Sequence, residues 1–289
     1  TEATRTSKEP NLKAMINMAK TEDGMSIALE ELDADPYLLG VLNGVVNLKT
    51  QTLILPSPDI LVTKRTNMRF DPDAECPGFE CFLNQILPNQ LEREFVIRWL
   101  GYLLSGLVTL QFFLFLFGSG SNGKSVLVEL MYWLLGDYAQ KINTEMLMKQ
   151  YRSSQSASPD LVSLAGRRLI YCNETTEGKR LDDARVKELA GGDTITGRVP
   201  YAIQAVSFRP THKLVMVGNH APIIQDDSYG MWRRIKLIPF TQKFKEGDPG
   251  FDPYLLDKLK AESAGILNLL LIGFADFQKS GIQVPKSLE

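Results

Sequence analysis

The chain has 289 residues, of which 44% are hydrophobic and 23% charged, and its formal net charge is −2. These values are ordinary for a globular protein and exclude one that is basic throughout, although they allow a local basic face. The three cysteines, Cys76, Cys81 and Cys172, do not form an even, spaced set. They favour a cytoplasmic protein over a secreted, disulfide-bonded one.

One uncharged segment, from Trp99 to Gly123, is long enough to span a bilayer. Small and polar residues interrupt it, and it runs into a glycine-rich loop. A buried helix followed by a turn and a buried parallel strand explains the same residues better. We therefore expect no membrane association.

The first 105 residues predict a mixed α+β region. A helical pattern surrounds LKAMINMAK, and VLNGVVNLKTQTLIL (41–55) alternates around a polar turn, as a hairpin does. The segment LVTKRTNMRF (61–70) favours a further strand. Two helices are expected next, near residues 79–87 and 90–105.

From residue 111 onward, predicted strands alternate with predicted helices, which is typical of a parallel sheet covered on both faces. The expected order is strand FFLFLF, helix KSVLVELMYWLL, strand RRLIYCNE, helix DDARVKELA, a hairpin-like section at 194–210, and strands KLVMVGN and IKLIPF. Residues 250–289 are expected to be mostly helical. The chain then divides into an N-terminal region (1–105), a sheet domain (106–245) and a C-terminal helical segment (246–289).

The stretch GSGSNGKS follows the first strand of that sheet and opens a helix. Small residues there allow backbone N–H groups to point into one concavity at a helix N-terminus, where phosphate binds. The spacing fits G-x-x-x-x-G-K-[ST], in which the lysine holds the β- and γ-phosphates and the hydroxyl ligates Mg²⁺. We therefore predict that ATP and Mg²⁺ bind at Gly118, Ser119, Gly120, Ser121, Asn122, Gly123, Lys124 and Ser125.

Two further strands end in polar residues that are expected beside this loop. RRLIYCNE ends in Asn173 and Glu174, and Glu174 is the candidate to polarise the attacking water and to hold the metal. KLVMVGN ends at Asn219, whose amide is suited to orienting that water. The alternative for these residues is a local role in caps and turns.

Arg233 and Arg234 stand directly before the last apolar strand, in YGMWRRIKLIPF. One interpretation is a surface pair that flanks the strand. The other is an arginine finger that reaches the nucleotide of a neighbouring subunit, an effect worth about 10³–10⁵ in rate. The second interpretation implies a ring with its sites at subunit interfaces.

The segment from Thr194 to Gln225 contains no acidic residue, although Arg198, Arg209 and Lys213 are present. Such a segment in an acidic chain suits a nucleic-acid phosphate backbone. Tyr201 is suited to stacking on a base of a single strand. A solvated hairpin without a ligand explains the composition equally well.

Taken in order, these motifs resemble the helicase domain of superfamily III, and most of all the phage and plasmid primase–helicases related to the poxvirus enzyme. The stretches that carry the likeness are GSGSNGKS, LIYCNE, VKELAGGDTITGR, KLVMVGN and GMWRRIKLIPF. NGVVNLKTQTL, FDPDAECPGF and WLGYLLSG resemble the family's N-terminal helicase-associated region. The likeness covers about residues 40–285.

The resemblance implies an α/β fold with a P-loop AAA+-like parallel sheet flanked by helices. It also implies a homo-hexameric ring that hydrolyses ATP and translocates on single-stranded or forked DNA. A primase or polymerase domain is expected elsewhere in the full-length protein.

The resemblance also assigns roles to individual residues. Arg234 fits the finger better than Arg233, because of its distance from the terminal Pro-Phe of the motif. Lys187 belongs to a motif peculiar to the superfamily, and with Arg198 and Tyr201 it completes the candidate DNA contacts.

The sequence departs from the family pattern at two places. Asn173 stands where many relatives carry an acid, and Val199, Pro200 and Tyr201 stand at a hairpin tip where viral ring helicases often place a lysine and a histidine. Asn173 therefore leaves one alternative, a nucleotide-switched DNA-binding or loading ATPase with little unwinding. A P-loop kinase built on the same loop is the other alternative.

Overall fold

The structure is a computed structural model that describes residues 8–22, 24–148, 159–173, 181–198, 205–219, 229–248 and 250–288. Its helices are α1 (Glu9–Ala19), α2 (Pro77–Ile86), α3 (Gln90–Leu103), α4 (Lys124–Leu135), α5 (Pro159–Val162), α6 (Asp183–Ala190), α7 (Tyr229–Trp232), α8 (Leu255–Ala261) and α9 (Ser263–Ser280). Its strands are β1 (Leu38–Val41), β2 (Gly44–Asn47), β3 (Thr52–Ile54), β4 (Phe113–Phe117), β5 (Ala139–Lys141), β6 (Leu169–Asn173), β7 (Ile195–Gly197), β8 (Val206–Phe208), β9 (Lys213–Gly218) and β10 (Ile235–Pro239).

The centre of the molecule is a five-stranded sheet in the order β10-β4-β9-β6-β5, with every neighbouring pair parallel. Alternate side chains of a strand point to opposite faces. Leu114 and Leu116 of β4 therefore pack in one apolar cluster with α3, α4 and α9, while Phe113 and Phe115 pack in a second cluster with α6. The prediction of an α/β fold with a parallel sheet flanked by helices is confirmed.

The upstream region contains a separate antiparallel sheet, β1-β2-β3, and its β2–β3 hairpin confirms the predicted one. The further strand predicted at 61–70 is wrong. The carboxylate of Asp33 accepts hydrogen bonds from the backbone N–H groups of Thr63 and Lys64, at 2.8 and 3.4 Å. Because a side chain accepts from these two donors, the segment runs beside β1 but does not pair with it as a regular strand.

The upstream and downstream segments pack on each other through α3 and α9. A Cβ added at Gly101 would lie 2.3 Å from the backbone nitrogen of Phe274, so the glycine allows the two helices to approach closely. Their apolar residues belong to the same core cluster as α4 and one face of the sheet. One core thus runs through all three predicted segments, and the boundaries at 105 and 245 stay predictions.

The uncharged segment from Trp99 to Gly123 forms the end of α3, a turn, β4 and the loop that follows. In the part of the chain that the structure describes, no helix is long and apolar enough to cross a membrane.

Candidate functional site

The loop between β4 and α4 has the backbone expected of a phosphate cradle. Gly120, Ser121 and Gly123 have φ values of 91°, 49° and 85°, in the left-handed region that glycine adopts most readily. Together with the ends of β6 and β9, the loop lines a cavity of about 530 Å³. The N-terminus of α4 opens into this cavity, so its unpaired N–H groups and its dipole favour an anion there.

The side chain of Lys124 is only 3% exposed and is held by three oxygen atoms. Its Nζ donates to Gly118 O at 2.5 Å, to Asn122 Oδ1 at 3.0 Å and to Asn219 Oδ1 at 3.3 Å. These three acceptors are neutral oxygens. The ammonium group lies beside the N-terminus of α4, and the two together suit the binding of an anion.

The segment after β10 closes the loop from one side. Asn122 Nδ2 donates to Phe240 O at 3.1 Å, and Phe244 N donates to Ser121 O at 2.7 Å. Sequence reasoning missed this support, because Asn122 occupies a variable position of the motif and its partner lies 118 residues away in the chain.

The upstream helix α2 supports the loop from another side. A Cβ at Gly123 would lie 2.4 Å from Ile86 Cγ2 and 3.2 Å from Phe82 Cε2, so the glycine is also needed for packing. The N-terminus of α2 is in turn held by Glu262, whose carboxylate accepts from the N–H groups of Gly78 and Phe79 at 3.0 and 2.9 Å. Residues far upstream and far downstream thus position the loop.

The structure brings several predicted site residues together and leaves one undescribed. Ser125, Asn173 and Asn219 line the cavity with the loop, as the order of strands predicts. Glu174 lies outside the described residues. Within the described part, the oxygen donors beside the loop are therefore hydroxyl and amide groups, and no cluster of three or more metal-ligating residues occurs there.

The two arginines lie at the start of the edge strand β10, and they differ in exposure. Arg233 is exposed, whereas Arg234 is partly buried and its Nη1 donates to Gly230 O. Arg234 O also accepts from Phe113 N at 2.8 Å. The exposure favours Arg233 for contact with another molecule, where the sequence ranks Arg234 first; both assignments stay predictions.

The predicted hairpin at 194–210 is formed by β7 and β8, with Ile195 opposite Phe208. Arg198 is exposed at the end of β7, and Lys187 is partly buried on α6. Tyr201 lies outside the described residues. The DNA contacts proposed for these three residues stay predictions.

Lys213, which the sequence placed among cations suited to a phosphate backbone, is 4% exposed, and that interpretation is wrong. Its Nζ donates to Ser105 O, and Arg168 donates to Leu104 O and Leu38 O. Ser105 and Leu104 follow α3, whose last carbonyls lack helical partners. The two cations therefore cap a helix end, and burial lowers the pKa of Lys213 well below its usual value.

Two family models match different parts of the chain. The family model described as "D5 N terminal like" matches residues 1–88, and the family of unknown function DUF5906 matches residues 116–234. An Acanthamoeba polyphaga mimivirus protein named a "Putative helicase" is 34% identical over 277 residues, which are 89% of this chain and 29% of that protein.

Two further relatives come from other viruses. An African swine fever virus protein named a "Putative primase" is 31% identical over 78% of this chain, and an Invertebrate iridescent virus 3 protein named a "Putative helicase" is 28% identical over 74%. The chain is related to the viral primase–helicases. It covers 24% of the length of each of these two relatives, so it corresponds to about a quarter of them.

Solved structures support the same fold. The A-form apo structure of the NrS-1 C-terminal region matches with a TM-score of 0.59 over 96% of this chain and 62% of that one, at 14% identity. A second apo structure of that region matches with a TM-score of 0.55 over 80% of this chain. The predicted primase–helicase resemblance is confirmed, while a phage or plasmid source stays a prediction.

Proposed function

We propose that the chain is the ATP-driven motor of a viral replication primase–helicase, and that it translocates on single-stranded or forked DNA. The observation that carries the proposal is the loop of residues 118–125, which places a buried Lys124 and a helix N-terminus at one open cavity. That combination suits a nucleoside triphosphate, because both the charge and the backbone donors favour phosphate.

The residues around the cavity then divide the work. Lys124 exchanges a neutral oxygen for the β- and γ-phosphates, and the backbone of Gly120 to Gly123 surrounds them. Ser125 would hold Mg²⁺ with few other protein ligands, as is common where a phosphate is present. The ion would supply positive charge that offsets the charge on the transferred phosphoryl group. Glu174 polarises the attacking water, and Asn219 orients it.

Hydrolysis is proposed to require a second copy of the chain. In the described part of the cavity lining there is no arginine, while Arg233 is exposed at the start of the edge strand β10. An arginine from a neighbouring copy in a homo-hexameric ring would stabilise the transition-state charge. The β7–β8 hairpin, with Arg198 exposed at its end, is the proposed DNA contact.

The proposal is tested by measuring ATP hydrolysis against protein concentration, with and without single-stranded DNA, at two salt concentrations. Turnover per chain that rises with concentration and is stimulated by DNA supports a motor with shared sites. Turnover per chain that is constant and indifferent to DNA contradicts both the ring and the motor, although ATP binding at the loop would stand.

A nucleotide-switched loading ATPase is the second candidate, since Asn173 supplies an amide where a metal-binding acid is common. It would bind ATP and DNA but turn over slowly and without unwinding a forked substrate. A P-loop kinase would instead transfer phosphate to an added acceptor. Unwinding of a labelled fork, together with phosphate transfer to an added acceptor, therefore separates the three activities. A primase domain in the full-length protein is part of the proposal.

A further inference from the structure

We propose that Asn122 couples the nucleotide site to β10 and to the arginines at the start of that strand. The inference rests on the nucleotide-binding function proposed above and gives Asn122 the role of a positioning residue. The side chain is 3% exposed and has one bond on each side. Its Oδ1 accepts from Lys124 Nζ at 3.0 Å, and its Nδ2 donates to Phe240 O at 3.1 Å.

The lysine side of this bridge must respond to a phosphate. The acceptors of the ammonium group include three neutral oxygens, from Gly118, Asn122 and Asn219. A phosphate oxygen that binds Lys124 competes with these acceptors for its N–H groups and redirects the ammonium group relative to Asn122. Because Asn122 is buried, water does not readily replace a bond that its amide loses.

On the β10 side of Asn122, backbone hydrogen bonds hold Phe240 and Phe244 to the loop and to β4. Phe240 N donates to Phe117 O at 2.7 Å, and Phe244 N donates to Ser121 O at 2.7 Å. An amide that turns with the lysine therefore changes the position of Phe240 relative to the loop. Gly118 leaves no spare room, since a Cβ there would lie 2.4 Å from Asn122 Nδ2.

The strand β10 carries the change to its other end. It pairs with β4 along its whole length, from Ile235 opposite Phe113 to Pro239 opposite Phe117. Arg234 immediately precedes it, and its carbonyl accepts from Phe113 N at 2.8 Å. Five extended residues, about 17 Å, thus connect a chain's own phosphate loop with the arginines proposed to act on the neighbouring copy's nucleotide.

The test is amide hydrogen exchange, measured with and without saturating ADP or a non-hydrolysable ATP analogue. The reporters are the amides of Phe240 and Phe244 at the near end and of Phe113 at the far end. In the wild-type chain we expect nucleotide to change exchange at both ends by about fivefold, the equivalent of one neutral hydrogen bond. In Asn122→Ala, at nucleotide concentrations that again saturate the site, we expect the change to disappear.

A second variant separates the two sides of the bridge. Asn122→Asp keeps an acceptor for Lys124 and nearly the same volume, but it has no donor for Phe240 O. Its negative charge beside Lys124 should weaken nucleotide binding, so it is compared at nucleotide concentrations that saturate the site. There it should lack the exchange response, and it serves if the alanine variant does not fold. Asn268→Ala is the matched control, because Asn268 Nδ2 also bridges carbonyls, those of Asp71 and Ala74, away from the site. It should respond as the wild type does.

The outcomes distinguish this inference from the function on which it rests. Nucleotide binding without an exchange response in the wild type, or with an unchanged response in both Asn122 variants, overturns the coupling and leaves the nucleotide site intact. A response that stops at Phe240 and does not reach Phe113 overturns it too. Absence of nucleotide binding by the wild-type chain overturns the proposed function itself.

Discussion

The parallel sheet has a lysine buried against neutral oxygens at each end of its strands. At the carboxyl edge, where the strands end, Lys124 is proposed to bind phosphate, and at the amino edge, where they begin, Lys213 caps a helix end. Lys124, beyond the carboxyl end of β4, is 3% exposed, and Lys213, at the amino end of β9, is 4% exposed. Burial alone therefore does not distinguish a binding lysine from a structural one. The kind of partner does.

The acceptors of Lys124 include two side-chain amides and lie beside an open cavity, so they can be exchanged for phosphate. The acceptors of Lys213 are the backbone carbonyls of Ser105 and Thr211, and its Nζ also lies 4.6 Å from the ring centre of Tyr102. These backbone carbonyls are fixed, and that of Ser105 lies beyond the end of α3, where helical partners are missing, so the lysine has permanent partners. The comparison teaches that a cation site is recognised by whether its partners can be replaced.

Lys124→Ala gives the largest expected effect and tests the carboxyl edge. Nucleotide binding and hydrolysis should both fall below detection, since the variant removes the charge that attracts the phosphates. Binding is measured with a fluorescent ATP analogue, and hydrolysis by phosphate release. Lys279→Ala, at an exposed position of α9, is the control. Substantial turnover by Lys124→Ala would contradict the phosphate site.

Arg233→Ala separates nucleotide binding from hydrolysis, because Arg233 lies at the amino end of β10, away from its own chain's loop. Hydrolysis should fall about 10³-fold, the lower end of known finger effects, while ATP affinity in the isolated chain stays within about twofold. Arg234→Ala is compared with it, because Arg234 also donates to Gly230 O and its loss should lower thermal stability. Arg69→Ala, an exposed arginine of the upstream region, is the control. Wild-type rates in both variants would dismiss the finger.

The sequence was sufficient for those parts of the molecule that local patterns determine. The apolar run of β4, the glycine spacing of the loop and the amphipathic α3 each lie within about 15 residues. Their periodicity and turn chemistry predict the sheet and the phosphate loop directly.

The remaining features depend on residues that are distant in the chain. The strand predicted at 61–70 is absent because Asp33 binds the backbone of Thr63. Gly123 is supported by Ile86, which is 37 positions earlier in the sequence. The sequence shows the charge of Lys213 but not its contact with the end of α3, so it gives a wrong interpretation of this lysine. Sequence order alone gives no distance between such pairs.

The pH dependence of stability tests the amino edge, because His212 is buried there beside Lys213 and is only 2% exposed. Burial, and next the charge of Lys213, lower the pKa of His212 from 6.5 to about 4. Below pH 6.5 the unfolded chain binds a proton that the folded chain refuses, so stability falls as pH falls toward 4. The loss between pH 7.5 and 5 should be about 2 kcal/mol.

Urea unfolding of wild type and His212→Leu at those two pH values measures this contribution. The variant should lose less stability than the wild type over the interval, by about that same 2 kcal/mol. An identical pH dependence in both proteins would mean that His212 is protonated equally in the folded and unfolded chains. His212 would then not be in the buried surroundings that distinguish the amino edge from the open phosphate site.

Arg198→Ala is expected to give the smallest effect. It tests whether the β7–β8 hairpin, which leads to β9, binds DNA. Arg198 is exposed where β7 ends, and a contact with one phosphate of single-stranded DNA contributes about 0.7 to the slope of log K against log salt. The variant should bind more weakly, with a slope shallower by that amount, while Arg69→Ala keeps the wild-type slope. A wild-type slope in Arg198→Ala would move the DNA contact away from this end of β7 and leave the amino edge purely structural.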